Sequence, residues 1–357
     1  MFGYTFKYMQ LWQIFNSESA LTYEALLKRF HLQLDIYYQP SFLAADAFMH
    51  GGTYEIFVCY DQSSIFIYPY IKKEFENNYY DITSPYGYCG PYSNNAAFFD
   101  IGEKAFLDYV VTQGKMVSEF IRYHPIYNVG NGMKFKQNIS NIKNRTVVML
   151  NTSCEWQEIW DHSFSNTNRN LVRKMKKEGL FCEIVDYNSY IHQFIEMYYQ
   201  TMRNANAKEY YYFKDDYLNK LKHQLGDNLL LAVVRDAQHL YAAGLFFLSG
   251  NILTYFLSAR NLLFTKVPAT NLLLTSMSEW ANMRGVSYIN FGGGLTDSEN
   301  DSLFQFKSNF SKVRYPFYIG KRIHKPDIYE MLKEKWISEN GSVKYEELKN
   351  TLQFYHK

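Results

Sequence analysis

The residues best placed to do chemistry lie between Asn290 and Lys321. There the chain runs Asn290-Phe-Gly-Gly-Gly-Leu-Thr-Asp297, then Leu303-Phe-Gln-Phe-Lys-Ser-Asn-Phe310, and closes on Tyr315-Pro-Phe-Tyr-Ile-Gly-Lys321. A strand that ends in three glycines leaves its backbone bare, because no Cβ shields the amides and carbonyls. The short helix that follows carries Phe306, Lys307 and Phe310, which sets one ammonium group beside that backbone at the end of a sheet. Such a place suits an acyl carrier. An ammonium in a partly dry pocket stabilises the oxyanion of a tetrahedral intermediate or a departing oxygen, and no covalent nucleophile is needed. The structural alternative is a surface lysine on an amphipathic helix.

Further groups could serve the same chemistry. The segment Asn168-Arg-Asn-Leu-Val-Arg-Lys-Met-Lys-Lys177 puts Arg169, Arg173 and Lys176 on one helical stripe, with Leu171, Val172 and Met175 forming an opposing apolar face. One side packs and the other offers bidentate contacts to phosphates, although a solvated helix face reads the same way. The loop Phe264-Thr-Lys-Val-Pro-Ala-Thr-Asn271 offers Lys266 and Asn271 to an anionic donor, with Pro268 in a first helical turn. It holds no glycine, so several of its amides cannot close on one pyrophosphate. On the acceptor side, the loop Asp81-Ile-Thr-Ser-Pro-Tyr-Gly-Tyr-Cys-Gly-Pro91 exposes Tyr86 and Tyr88 at a strand end, as a ligand wall or as a structural turn. Arg122, in Arg122-Tyr-His-Pro125, fits an acceptor carboxylate or phosphate, while a buried Arg122–Asp81 pair would look identical. His124 offers a base or a satisfied structural imidazole. Tyr255 sits on a central strand as a hydrogen-bond donor to the cleft. No Ser-His-Asp set and no metal-ligand cluster can be assembled.

Composition narrows the class. The 357 residues, 47% apolar and 20% charged, suffice for two compact domains. The 33 Tyr and 28 Phe read first as core and rim packing. A net charge of +2 gives no global basic field, so any anion site must be local. Cys59, Cys89, Cys154 and Cys182 show no Cys-x-x-Cys, which argues against structural zinc and a disulfide framework. Met1-Phe-Gly-Tyr-Thr-Phe-Lys-Tyr8 has no charged leader before an apolar block, and no later run reaches ~18 apolar residues. The expectation is a cytoplasmic monomer with no transmembrane segment.

Alternating apolar patterns predict strands over 54–60 and 64–72 around a turn at Asp61-Gln62-Ser63, a third over 79–83, a helix over 103–114 and a strand over 117–123. The second half repeats the plan, with strands over 229–235, 240–248 and 253–258, a helix over 269–284 and a strand over 286–291. This suggests two copies of one α/β unit, each a mixed sheet flanked by helices. The expected division is 1–150, 151–325, and a helical tail over 326–357 that packs back on the body through Tyr329, Leu332 and Trp336.

With those residues in place, the chain resembles the FemAB-like branch of the GNAT acyltransferase superfamily, from Asp35-Ile-Tyr-Tyr-Gln-Pro40 to Lys321. The likeness is strongest in the 81–91 loop and the Phe306-Lys307 segment. It implies α/β (α+β) architecture as two tandem GNAT-like domains, each a mixed, mostly antiparallel sheet. It implies that Lys307, with Phe306 beside it, contacts the acceptor end of a tRNA and supports acyl transfer. The helix bearing Arg169, Arg173 and Lys176 is similar to a phosphate-binding helix of that branch. GNAT members that use coenzyme A usually show Arg/Gln-x-x-Gly-x-Gly/Ala where this chain has its 264–271 loop, so the resemblance points to aminoacyl-tRNA as donor. No coiled-coil arm is present, unlike in several tRNA-using members. The acceptor expected is an amine of a nucleotide- or lipid-linked precursor of the cell wall or a surface polysaccharide, with no bound cofactor and no metal. Two alternatives stand beside it: an acyl-CoA-dependent N-acetyltransferase of amino sugars, and a non-catalytic nucleotide-sugar or peptide binder.

Overall fold

The computed structural model describes residues 12–356, so the N-terminal segment read for an export leader lies outside them. The described chain forms two compact units. One comprises the described residues up to Leu32, Tyr37–Asn144 and the chain from Phe317 onward; the other comprises Gln33–Ile36 and Arg145–Pro316. The change of unit falls at 144/145 rather than at the expected 150/151, because a single strand, β7 (Ser140–Asn151), runs through it. A second strand, β13 (Val313–Ile323), carries the chain back, so residues 317–325 cluster with the first unit.

The first unit is built from β1 (Trp12–Phe15), α1 (Ala20–Arg29), α2 (Pro40–His50), β2 (Thr53–Tyr60), β3 (Ile65–Glu74), β4 (Tyr80–Thr83), β5 (Tyr92–Ser93), α3 (Ala96–Gln113) and β6 (Met116–Arg122). Its strands run β1-β2-β3-β4-β6, with β5 on β3 and the second half of β13 antiparallel to β6. β2 and β3 form the expected hairpin, closed by Asp61, whose Oδ1 accepts the amides of Ser63 and Ser64 at 2.8 and 2.7 Å. β4 and β6 are parallel, which requires a crossover, and α3 supplies it.

Helix α3 starts seven residues before the expected 103 because Asn95 caps it, accepting from the amides of Ala97 and Phe98. The added turns bury Phe98 and Phe99. Gly102 lets α3 approach β3, since a Cβ there would stand 2.1 Å from Phe66 Cγ. Gly102→Ala should lower the urea midpoint at constant slope, by an amount equivalent to about 1–3 kcal/mol. An unchanged midpoint would mean that the helix shifts at no cost. The tail forms α10 (Pro326–Asn340) and α11 (Ser342–Leu348), and Tyr329 and Trp336 are buried with Val117, Leu352 and Phe354. Many tyrosines are core residues: Tyr23, Tyr68, Tyr70 and Tyr198 are fully buried, and each hydroxyl has a hydrogen-bond acceptor.

The second unit holds α4 (Trp156–His162), α5 (Asn166–Lys177), β8 (Phe181–Val185), α6 (Tyr187–Asn204), α7 (Asp215–Leu225), β9 (Leu229–Arg235), β10 (Leu240–Ser249), β11 (Ile252–Arg260), α8 (Ala269–Met283), β12 (Tyr288–Gly293) and α9 (Ser302–Ser308). Its strand order is β7-β12-β11-β10-β9-β8, antiparallel except for β11 and β12, which α8 joins as a crossover. The plan matches the first unit: a hairpin, a helical crossover to a parallel strand, and an antiparallel strand closing the edge. The chain is therefore a mixed α/β fold of mostly antiparallel sheet flanked by helices.

Candidate active site

The glycine run sits at the end of β12, where the sheet register slips. Opposite β7, pairing shifts between Asn290 and Gly292, and Gly292 takes φ +75° with its amide donated to Asn290 Oδ1 at 2.8 Å. Glycine enters that left-handed region without penalty, so the bulge forms there. The next two glycines answer to space instead. A Cβ on Gly293 would lie 2.8 Å from the Thr146 carbonyl oxygen, and one on Gly294 would lie 2.5 Å from Asp301 Oδ1. The strand accordingly ends at Gly293, two residues beyond the expected 291.

Asp301 folds the turn that follows. Its carboxylate caps α9 by accepting the Phe304 amide at 3.0 Å, and it also takes the amides of Leu295 and Thr296 at 3.0 and 2.9 Å. Burial favours the neutral acid, yet these donors prevail and hold the carboxyl below its ordinary range. On α9, Phe304 and Phe306 pack against the core that contains Phe291 and Phe310, and this turns Lys307 inward. Lys307 is 8% exposed, and its Nζ donates to the Gly293 carbonyl at 2.8 Å. The same nitrogen lies 5.9 Å from the centroid of the Tyr255 ring. Burial chiefly pushes the ammonium down to about 7, with the charge of Arg145 adding to the effect and Asp301 opposing it. Tyr255 is pushed up to about 12 by burial, so its hydroxyl remains a donor at neutral pH. One carbonyl further on, Arg145 Nη1 donates to Gly294 O at 2.9 Å.

Of the residues proposed for the site, the structure thus brings together Lys307 and Tyr255, with Phe306 on the same helix as a packing residue. Arg145 and Asp301 were not foreseen. Asp301 was legible as an N-cap before a short apolar helix. Arg145 was not, since it lies 149 positions from the carbonyl that it holds.

The donor-side residues divide differently. The basic stripe forms as α5, but Arg169 is spent inside the unit. Its guanidinium donates to the carbonyls of Trp160 and Phe164 at 3.0 and 3.1 Å, and to that of Asp161, closing the C-terminal end of α4. Arg173 stacks over Trp160 at 5.5 Å, and Lys176 stands 3.6 Å from the Glu279 carboxylate. Asn271 is buried and bonded to Asn168 Oδ1 at 2.8 Å, which makes it an internal tie between α8 and α5. Lys266 is exposed beside the start of α8. Two amides of that helix start are used locally, Ala269 N on Val267 O and Asn271 N on Pro268 O, at 2.8 and 2.9 Å.

Tyr86, Tyr88 and Arg122 belong to the first unit. Tyr88 packs edge-on against Phe317, and the Tyr86 amide donates to Asp46 Oδ2 at 3.2 Å. Arg122 donates to Ser84 O at 2.8 Å and lies over Phe120, while Asp81 is held by His356 and Ser118. The Arg122–Asp81 alternative is therefore not realised. His124 Nδ1 accepts the amides of Ile126 and Tyr127 and its ring stacks on Tyr127 at 4.1 Å, a turn-forming role. All four cysteines are free thiols. Among the described residues, no His/Cys/Asp/Glu group could hold a metal ion, and no helix is long and apolar enough to cross a membrane.

Comparisons with known proteins agree with this layout. Residues 162–307 match the family described as acetyltransferase (GNAT) domain, so the matched region closes on Lys307 itself. No curated protein matches in sequence. Among solved structures, FemX superposes with a TM-score of 0.69 at 14% identity, over 89% of this chain and 99% of that one. The C-terminal domain of a putative lysylphosphatidylglycerol synthetase from Agrobacterium fabrum gives 0.53 at 13% identity, over 92% and 99%. L-PGS from Bacillus licheniformis gives 0.54 at 15%, over 87% and 94%. At these identities the structures speak for the fold alone, and the domain match speaks for residues 162–307. Residues 162–307 thus carry a GNAT acetyltransferase domain, and the chain has a FemX-like fold.

Proposed function

We propose that the protein transfers an aminoacyl group from aminoacyl-tRNA to an amine of a nucleotide- or lipid-linked precursor of the cell wall or a surface polysaccharide. The observation that carries this reading is the buried Lys307, bonded to Gly293 O at the glycine-lined end of β12. In the reaction the neutral acceptor amine attacks the ester carbonyl, and a C–N bond forms as the carbonyl oxygen becomes an oxyanion. Lys307 donates an N–H to that oxyanion or to the departing ribose oxygen. The C–O bond then breaks, and the proton released by the amine ends on the ribose hydroxyl. The helix start at Ala269 supports a donor other than coenzyme A, because it has no glycine and two of its amides are already engaged. A fold neighbour named for lysylphosphatidylglycerol is consistent with an aminoacyl group as the unit moved.

The test is a parallel titration of the purified protein with a stable mimic of the aminoacylated tRNA 3′ end and with acetyl-CoA. Salt-sensitive binding of the RNA mimic, and none of the thioester, is expected. Binding of the thioester alone would overturn the donor assignment in favour of an acyl-CoA N-acetyltransferase, the reading that the description of the matched domain favours.

A further inference from the structure

Two consecutive carbonyls leave the end of β12, and each is held by a cationic side chain from a different element. Lys307, from α9, takes Gly293 O at 2.8 Å, and Arg145, from β7, takes Gly294 O at 2.9 Å. The stem of Arg145 also forms one wall of the glycine site, since a Cβ on Gly293 would touch Arg145 Cβ and Cδ at 3.6 Å each. Arg145 thus serves both glycines: its methylenes line the space that a side chain on Gly293 would take, and its guanidinium holds Gly294 O.

We propose that Arg145 is a positioning residue of the acyl-transfer site, locking the Gly293–Gly294 backbone against the Lys307 amine. The inference rests on the reading of Lys307 as the group that meets the reacting oxygen. Its physical content is twofold. A peptide pair pinned at both carbonyls cannot rotate Gly293 O away from Lys307, although glycine by itself is free to take many backbone conformations. A guanidinium is charged at every accessible pH, so it also repels a proton on Lys307 continuously, whereas Lys307 itself changes charge near neutrality. Asp301 caps the same helix and favours the charged amine, Tyr255 lies under it from β11, and Arg314 lies over the Phe304 ring with Glu299 acting on it. Among the described residues, Arg145 supplies the positive charge that opposes a proton on Lys307.

The experiment measures the pH dependence of acetic anhydride labelling at Lys307, by peptide mass spectrometry, in the wild type, Arg145→Gln and Arg145→Lys. Acyl-transfer rates are measured in parallel. In Arg145→Gln the labelling midpoint should rise by about 0.5–1 pH unit, with kcat reduced and its pH profile moved the same way. Arg145→Lys keeps the charge without the planar fork, so its midpoint should stay at the wild-type value while kcat falls with KM little changed. This variant carries the test if Arg145→Gln does not fold. An unmoved midpoint in Arg145→Gln, or wild-type kcat in Arg145→Lys, overturns the proposal. A moved midpoint with an unmoved rate profile would instead overturn the assignment of Lys307 to the reaction, and leave Arg145 as its electrostatic neighbour.

Discussion

Lys307→Met is expected to lose acyl transfer by about 100- to 1,000-fold while making the folded protein more stable. The two effects share one cause. The gap between the ordinary lysine value of 10.5 and about 7 corresponds to roughly 4–5 kcal/mol that the fold forgoes to keep this amine buried. Methionine fills a similar volume without the charge and gives up one hydrogen bond to Gly293 O, a loss of about 1 kcal/mol. A net gain of roughly 3–4 kcal/mol follows. The pH dependence gives the sign independently. Between about 7 and 10.5 the unfolded chain holds a proton on Lys307 that the native protein has released, so wild-type stability rises with pH across that window. Methionine removes the rise. Urea unfolding at pH 7 and pH 9, with single-turnover transfer assays, reads both halves. A variant that is less stable than the wild type and still active would show that Lys307 is only a packing residue.

How much of this could be read from the chain alone depends on how local each cause is. The Gly292–Gly294 run, the helix behind it and Lys307 lie within sixteen positions of one another, and their arrangement was legible. Arg145 and Gly294 are joined by the sheet, across a separation that no window spans. The tie of Asn271 to Asn168 is illegible for the same reason, since the two lie 103 positions apart and only the packing of α8 on α5 brings them together. Arg169 differs in kind. Its helical stripe was correct, but periodicity cannot tell whether a charged face meets solvent or the carbonyls at the end of a preceding helix. Strand β13 escaped notice because Pro316 interrupts its alternation, and proline usually marks the edge of a sheet or its absence. The two-unit repeat was visible in the order of elements, whereas the antiparallel strand beside β6 or β12 in each unit comes from far along the chain.

That returning strand carries the second large effect, which concerns stability rather than chemistry. Arg322 on β13 is 2% exposed and bridges two buried carboxylates, Glu103 Oε1 at 3.0 Å and Glu119 Oε2 at 3.2 Å, with its guanidinium over the Phe135 ring. His324 Nε2 meets the same Glu119 oxygen at 2.9 Å, and Tyr68 donates to the other at 2.8 Å. Burial alone would raise Glu119, but Arg322, His324 and Tyr68 together hold it below the ordinary carboxylate range. Arg322→Met should therefore cost about 3–5 kcal/mol, since it leaves two carboxylates in a dry core with their shared countercharge gone. The acid response fixes the sign. A carboxyl depressed in the native state contributes stability that is present above its unfolded value and lost as pH falls through the native one. Without Arg322 that loss should begin at higher pH. Adding Glu119→Gln to Arg322→Met should recover part of the deficit, because the second change removes one of the stranded charges. Acid titrations of the two variants followed by circular dichroism separate the cases. An acid midpoint unmoved in Arg322→Met would mean that Glu119 owes its ionisation to His324 and Tyr68, and that the arginine serves the packing against Phe135.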